Sequence, residues 1–386
     1  MRIFISTGEV SGDLQGAMLV ASLYRQASQN NIDLEIIALG GEQMAAMGAT
    51  VLHNTSAIGS VGLLESLPLV LPTWQIQRRA KAYLLQHPPD LVVLIDYSGP
   101  NLAIGGYLRQ HLPNVPIVYY IAPQTWVWSP TSGGLRQLVK ITDYLLAIFP
   151  EEARFFQNLG MNVTWVGHPL LDRLADAPQR LTARQALGIP TDKTVITLLP
   201  ASRQQEIKYI LPVICRAAQV IQTSLNQNVE YLIPLSLSKY RPAIAEAIKI
   251  YQLQARIIEG NSLDAIAASD LAITKSGTVN LEIALLNVPQ VVLYRVHPLT
   301  MWIARHLLGF SIPFMSPPNL VMNRTIVPEL LQEEANCERI VQEAKDLLEN
   351  KARIAQIQAD YQEMRQLLGE VGVCDRTAQA ILNLKK

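Results

Sequence analysis

Hydrophobic positions along the chain form short runs that are separated by longer amphipathic segments. In the first part the apolar runs have the length of buried strands and lie at 1–6, 34–40, 91–96, 116–121, 144–149 and 163–167. Segments 12–29, 74–87 and 101–112 between them have the length and pattern of helices. Strands that alternate with helices predict a parallel sheet covered by helices on both faces.

A second series of apolar runs follows residue 167. These runs lie at 195–200, 229–236, 255–260, 271–276 and 289–295, again with helical patterns between them. The predicted fold class is therefore α/β, with two doubly wound, Rossmann-like domains. We place an N-terminal domain at 1–167, with a hinge after Gly167, a second domain at 168–350, and closing helices at 351–386.

Composition narrows the function classes. A chain of 386 residues fits two or three domains at roughly 150 residues each. Lys and Arg total 32 and Asp and Glu total 32, and this balance argues against a nucleic-acid binder. Three dispersed cysteines without a CxxC motif predict a reducing, cytoplasmic compartment and no metal site. The sequence shows no signal-peptide pattern and no apolar stretch of transmembrane length, while a mean hydropathy of +0.17 leaves a membrane-surface role open.

The loop after the first strand carries Gly8, Glu9 and Gly12. Its glycine spacing is not the GxGxxG pattern of dinucleotide sites. One interpretation is a strand–helix turn capped by Ser11 or Asp13. The other is a ligand site, because the carboxylate of Glu9 would face the crevice at the carboxyl ends of the strands.

Two further strand ends carry charged side chains. Asp96 closes an apolar strand, where it is either a helix cap or a general base that takes a proton from a substrate hydroxyl. Arg203 follows the first strand of the second half, where it either contacts phosphate oxygens or pairs with Glu206.

The run Ser276, Gly277, Thr278 precedes a helical pattern that contains Glu282. Small hydroxyl residues around a glycine favour an anion at a helix N-terminus, and a carboxylate one turn later suits sugar hydroxyls. This cluster exceeds what an ordinary helix cap needs, so we interpret it as a nucleotide site.

Segment 56–72 is rich in leucine and valine and is followed by basic residues. It is either a buried helix or an apolar surface for lipid tails beside anionic headgroups. In the second interpretation the membrane or acyl contacts are Val61, Leu63, Leu64, Leu67, Arg78 and Arg79.

With these segments in register, the chain resembles the lipid-A-disaccharide synthases, inverting glycosyltransferases of the GT-B fold. The matching stretches run nearly from end to end: GEVSGD (8–13), LIDxxxxN (94–101), YYIAPQTWVW (119–128), VGHPLLD (166–172), LLPASRQQE (198–206), KSGTVNLEIALLNVPQVVLYR (275–295) and SPPNLVMNRTIVPELLQEE (316–334). Their number, order and spacing carry the resemblance.

The resemblance implies two domains that face a central cleft, and transfer from UDP-2,3-diacylglucosamine to 2,3-diacylglucosamine 1-phosphate. It further implies a metal-independent enzyme without a cofactor, peripheral on the inner face of the cytoplasmic membrane, and able to form a homodimer that exchanges C-terminal elements. By position the catalytic aspartate is Asp96, and the glycine-loop glutamate is Glu9. The donor-side residues are Arg203, Glu206, Ser276, Gly277, Thr278, Glu282 and Asn319.

Four positions depart from the family pattern: Gly99, Ser129, Ala201 and Asn323. Such changes affect the expected acceptor more than the donor. Two rival interpretations therefore stay open: another UDP-sugar enzyme, either with a different lipid acceptor or an epimerase, and a nucleotide-binding relative that has lost catalysis.

Overall fold

The computed structural model describes residues 1–56, 69–127, 132–225, 228–260, 262–307 and 312–384. These residues form two compact units. The first contains the described residues of 1–172 and 368–386, and the second those of 173–307 and 312–367.

The first unit is built on a parallel sheet with the strand order β3-β2-β1-β4-β5-β6-β7. Its strands are β1 Arg2–Ser6, β2 Glu35–Gly40, β3 Thr50–Asn54, β4 Leu91–Ile95, β5 Ile117–Tyr120, β6 Tyr144–Ala147 and β7 Val163–Trp165. Its helices are α1 Glu9–Gln29, α2 Glu42–Ala46, α3 Val70–Gln86, α4 Ser98–His111, α5 Ser132–Ile141, α6 Pro150–Asn158, α7 Leu170–Arg173 and α18 Val373–Asn383. The last residue of α7, Arg173, is the first residue of the second unit.

The core of this unit lies between the sheet and its helices. Phe4, Leu94, Tyr119 and Phe156 are fully buried in one cluster. Strand β4 is buried at every position, as expected of a central parallel strand with helices on both faces.

The second unit has a parallel sheet with the order β10-β9-β8-β11-β12-β13. Its strands are β8 Thr194–Leu199, β9 Val229–Pro234, β10 Ala255–Ile258, β11 Leu271–Lys275, β12 Gln290–Tyr294 and β13 Glu329–Leu331. Its helices are α8 Arg180–Leu187, α9 Gln204–Tyr209, α10 Leu211–Ser224, α11 Arg241–Ile250, α12 Ser262–Ala267, α13 Val279–Leu285, α14 Pro298–Leu307, α15 Pro317–Met322, α16 Cys337–Glu349 and α17 Lys351–Leu368.

The chain returns to the first unit at its end. Helix α18 packs against α1. Asp172 holds the start of α18, because its carboxylate accepts hydrogen bonds from the backbone N–H groups of Gly372 (2.5 Å) and Cys374 (2.7 Å). Part of the predicted closing segment 351–386 thus belongs to each unit.

The α/β class is confirmed, with two parallel sheets. Two strands have no counterpart among the predicted ones, β3 and β13. β3 is a partly exposed edge strand, and β13 has only three residues, so neither shows a continuous apolar run. Helix α1 begins at Glu9 rather than at residue 12. Within the described residues, no helix has both the length and the apolar character needed to span a bilayer.

Candidate functional site

In each unit, predicted site residues follow the two strands between which the strand order of the sheet reverses. In the first unit this point lies between β1 and β4, which are followed by Glu9 and Asp96. In the second unit it lies between β8 and β11, which are followed by Arg203 and Ser276. In open parallel sheets, ligands bind at the carboxyl ends of the strands on each side of such a reversal.

The backbone at Asp96 is strained and is held by buried polar side chains. Asp96 and Tyr97 have left-handed φ values of 45° and 48°, which side-chain-bearing residues seldom adopt. The carbonyl of Asp96 accepts hydrogen bonds from Nδ2 of Asn101 and from the hydroxyl of Tyr119, both at 2.8 Å. Asn101 is fully buried and also joins the ends of β1 and β4 through Ser6 (2.7 Å) and Ile95 (3.0 Å).

The side chain of Asp96 is exposed, and Tyr97 occupies the capping position of α4. This arrangement does not match the helix-cap interpretation of Asp96. Strain of this kind costs about 1–3 kcal/mol per residue and clusters at functional sites. Asp96 thus combines an accessible carboxylate with a fixed backbone.

The glycine loop packs closely against neighbouring segments. A Cβ at Gly8 would lie 2.5 Å from the ring of Tyr97, and one at Gly12 would collide with the hydroxyl of Thr7. Asp13 caps the neighbouring helix α2 rather than its own, because it accepts the N–H groups of Gly41 (2.7 Å) and Met44 (3.2 Å). Glu9 begins α1 with a φ of 62°. The loop is therefore a tight turn that brings Glu9 to the same sheet edge as Asp96.

Arg203 caps helix α9 together with Glu206. The Glu206 carboxylate accepts the N–H groups of Ser202 (2.5 Å) and Arg203 (3.0 Å), and Nη1 of Arg203 lies 3.3 Å away. The pairing that the sequence offered as an alternative for Arg203 is thus present. Glu206 is buried, and its carboxylate holds the backbone of its own loop at Ser202 and Arg203, while its contact with the donor stays a prediction.

Charge around Glu206 favours its ionised form. Burial opposes ionisation, but the positive charges of Lys275 and Arg203 and the loop N–H groups outweigh it, so the pKa of Glu206 lies below its usual value. Lys275, at the end of β11, therefore links the β8 loop electrostatically to the β11 loop.

Glu282 lies buried on α13 and pairs with Arg173, whose Nε is 3.0 Å from its carboxylate. Burial raises the pKa of Glu282, while the charges of Arg173 and Lys275 limit the rise. A carboxylate paired with Arg173 and near the positive charge of Lys275 keeps acceptor capacity for hydroxyl groups.

The Ser276–Thr278 turn is fixed by hydrogen bonds within the unit. Ser276 Oγ donates to the carbonyl of Met315 (2.7 Å), and the N–H of Gly277 donates to Oδ1 of Asn280 (2.8 Å). Thr278 occupies the capping position of α13 without a side-chain cap. In the turn predicted to bind an anion, the N–H of Gly277 is thus engaged by Asn280, while Ser276, Gly277 and Thr278 are partly exposed.

Asn319 is fully buried on α15, and its side chain bonds to the segment 326–329. Its Nδ2 donates to Val327 (2.9 Å) and Glu329 (2.7 Å), and its Oδ1 accepts the N–H groups of Ile326 (2.7 Å) and Val327 (2.9 Å). These four bonds occupy both donors and both acceptor positions of the amide in this structure, and the contact of Asn319 with the donor stays a prediction.

Of the predicted membrane contacts, Val61, Leu63, Leu64 and Leu67 lie outside the described residues. Arg78 and Arg79 are exposed on α3. The same helix exposes Leu71 (70%) and Trp74 (57%), and the guanidinium of Arg78 lies 5.6 Å from the Trp74 ring centre. This apolar and basic face of α3, formed by Val70, Leu71, Trp74, Arg78 and Arg79, is called the α3 face below.

Sequence reasoning gave no role to Lys275, Arg173 or Asn101, although all three stand in or beside the motifs. The feature of the sequence that could have identified them is a charged or amide side chain at the end of an apolar strand or one turn into a helix. In the part of the chain that the structure describes, no three His, Cys, Asp or Glu side chains are grouped as metal ligands.

Comparison with known proteins identifies the family. The family model for lipid-A-disaccharide synthetase matches residues 3–384. A lipid-A-disaccharide synthase of Gloeothece citriformis is 61% identical over 383 residues, covering 99% of this chain and 100% of that protein. One of Synechocystis sp. is 62% identical over 384 residues, covering 99% and 97%.

Solved structures share the fold. A putative UDP-N-acetylglucosamine 2-epimerase from Listeria monocytogenes superposes with a TM-score of 0.70 at 15% identity, covering 100% of this chain and 96% of that one. A UDP co-structure of MnaA from S. aureus gives 0.66 at 15% identity, covering 99% and 97%. The GT-B-type α/β fold is thereby confirmed. By its sequence, this chain belongs to the lipid-A-disaccharide synthase family and is a glycosyltransferase.

Proposed function

We propose that the protein transfers diacylglucosamine from UDP-2,3-diacylglucosamine to the 6-hydroxyl of 2,3-diacylglucosamine 1-phosphate. The products are a β-1,6-linked disaccharide 1-phosphate and UDP, with inversion at the anomeric carbon. The observation that carries this proposal is the exposed carboxylate of Asp96, held on a strained backbone at the reversal point of its sheet.

Asp96 acts as the general base. As the acceptor oxygen forms its bond to the anomeric carbon, its proton passes to the carboxylate, and the bond from that carbon to the UDP oxygen breaks. A fixed backbone keeps the carboxylate in one orientation, which lowers the entropic cost of positioning the base in each turnover.

The second unit binds the nucleotide. Arg203 follows β8, and Lys275 is the last residue of the adjacent strand β11, so both bring positive charge to one sheet edge. This charge suits the growing negative charge on the UDP leaving group. Glu282, held by Arg173, accepts hydrogen bonds from the ribose hydroxyls. These side chains supply the stabilisation in a reaction that we propose needs no cofactor or metal.

The substrates carry acyl chains, and we propose that the protein meets them at the inner face of the cytoplasmic membrane through the α3 face. Its exposed leucine and tryptophan suit the acyl boundary, and its arginines suit anionic headgroups.

The test of this function is product identification. Purified protein is incubated with both acylated substrates, and the products are analysed by mass spectrometry and by the yield of UDP. We expect one disaccharide 1-phosphate for each UDP released. Release of UDP without disaccharide, or a product only with another acceptor, would contradict the proposed acceptor.

A further inference from the structure

We propose that Glu152 is a positioning residue for Asp96, which it holds in place through the segment 121–126 that follows β5. This inference rests on the proposed function, because it takes Asp96 as the base. The sequence motifs above give no role to Glu152. It lies in the run FPEE next to Glu151, which is exposed.

The carboxylate of Glu152 connects two loops. It is fully buried on α6, and its Oε1 accepts the N–H of Ala122 at 2.9 Å. Its Oε2 accepts the N–H groups of Ile148 (2.8 Å) and Phe149 (3.2 Å), at the start of the same helix. One side chain thus ties the segment after β5 to the segment after β6.

The segment after β5 reaches Asp96 directly. The N–H of Asp96 donates to the carbonyl of Ile121 at 2.9 Å, and Ile121 has a left-handed φ of 60°. Ile121 immediately precedes Ala122, the residue that Glu152 holds. Two hydrogen bonds and one peptide link therefore separate the Glu152 carboxylate from the strained backbone of Asp96.

The far end of the same segment rests on the helix that carries Glu152. The ring of Trp126 lies 5.9 Å from the ring of Phe149, whose N–H the Glu152 carboxylate accepts. The segment is thus held at both ends by the start of α6. A segment fixed in this way keeps Ile121 in its left-handed conformation. In an unattached loop, the residue would relax to a more common backbone conformation.

A glutamine at this position cannot reproduce the contacts. The carboxylate offers acceptor oxygens on both sides, whereas an amide presents an NH2 group to one of them. Either the N–H of Ala122 or the pair at Ile148 and Phe149 then faces a donor, and the segment loses one attachment.

The first experiment measures Glu152→Gln beside the matched control Glu151→Gln, with Asp96→Asn in the same assay. A misplaced base slows turnover by about 10- to 100-fold, so we expect that loss of kcat in Glu152→Gln, with KM for the UDP-sugar and Kd for UDP within about twofold of wild type. Glu151→Gln should keep its activity, since Glu151 is exposed and contacts Arg154.

Two results would overturn the inference: a normal kcat in Glu152→Gln, or a parallel loss of UDP binding, which would mean a general structural role. The proposed function is judged separately, because its failure appears as full activity in Asp96→Asn whatever Glu152→Gln does.

A second experiment needs no variant. Burial raises the pKa of Glu152 to about 7, against the backbone N–H groups that lower it, and the charge of Asp96 raises it further. Two other titratable groups lie nearby. Tyr120 interacts electrostatically with Glu152. His168 packs against Phe149 and stays neutral, because burial lowers its pKa to about 3. Protonation of Glu152 places a hydroxyl group where three backbone N–H groups donate, and this weakens the hydrogen bond from the N–H of Ala122.

Amide hydrogen exchange of the peptide 119–127, corrected for the intrinsic rate, should therefore lose protection in wild type as pH falls through about 7. A peptide from α10 is the internal control. Protection of 119–127 that is independent of pH between about 5.5 and 8.5 would contradict the role of the carboxylate.

Discussion

At the two sheet edges, the protonation or orientation of individual side chains depends on neighbours of opposite charge or on hydrogen-bond partners. Glu282 is the clearest case, because 9% of its side chain is exposed while Arg173, with 24% exposed, lies 3.0 Å away. A buried carboxylate without such a partner would favour its neutral form, and it would lose acceptor capacity towards a ligand.

Replacement of Arg173 tests this relation. We expect Arg173→Ala to raise the Kd for UDP by about tenfold, because a partly buried charge pair is broken. The loss should be largest for ligands with ribose hydroxyls, so the variant should discriminate less between UDP and 2′,3′-dideoxy-UDP in calorimetric titrations.

Arg180→Ala is the matched control, because Arg180 is an exposed arginine of the same unit that pairs with Asp270. An unchanged preference for UDP over the dideoxy analogue in Arg173→Ala would separate Arg173 from ribose recognition.

At this scale the sequence predicted the place of Asp96 and Arg203, and it offered Glu206 as a partner of Arg203. It did not predict the partners of Asp96 and Glu282. An acid after an apolar strand is visible in the sequence, whereas the contact between Arg173 and Glu282 joins residues more than a hundred positions apart. The buried role of Asn319 is hidden for the same reason, since its four hydrogen bonds depend on how the 326–329 segment folds back over it.

Among the elements, α3 carries exposed apolar side chains beside basic ones on its outer face. Its inner side buries Gln77, Ala80 and Leu84, while its start exposes Val70, Leu71 and Trp74. An exposed apolar group of this kind, next to two arginines, is typical of a surface that meets lipid.

Vesicle binding tests the α3 face. The double variant Leu71→Ser, Trp74→Ser should bind vesicles of phosphatidylethanolamine and phosphatidylglycerol about a hundredfold more weakly or worse, since each lost apolar side chain removes about 1.5–3 kcal/mol of burial. Leu181→Ser is the control, because Leu181 is similarly exposed (64%) on α8. Equal binding by the double variant and wild type in flotation assays would remove α3 from the membrane contact.

Elements were predicted best where a long apolar run or a clear helical period marks them. β1 and β4 lie within the predicted runs, and β8 matches its run apart from Thr194, because central parallel strands are apolar at nearly every position. The edge strand β3 and the short β13 were missed, since pairing with a neighbour rather than hydrophobicity defines them. One interpretation of the glycine loop offered Ser11 or Asp13 as the cap of α1, whereas Asp13 caps α2, because a cap between two elements leaves no local pattern.

At the scale of the whole molecule, each unit repeats one design. Each sheet reverses its strand order once, between β1 and β4 in the first unit and between β8 and β11 in the second. The first reversal presents carboxylates, at Glu9 and Asp96, and the second presents cations, at Arg203 and Lys275. This division matches a reaction that needs a base for one substrate and positive charge for the leaving group of the other.

The turnover number of Asp96→Asn tests the central claim most directly. With the acylated donor and acceptor at saturation, loss of a general base should lower kcat by about 10²- to 10⁴-fold, while Kd for UDP and the unfolding temperature stay near wild type. Asp90→Asn, at the other end of the same strand segment, is the matched control and should retain turnover, because the Asp90 carboxylate accepts the N–H of Arg2 (2.7 Å) and an amide oxygen can do the same. A kcat for Asp96→Asn within about threefold of wild type would contradict the assignment of Asp96 as the base.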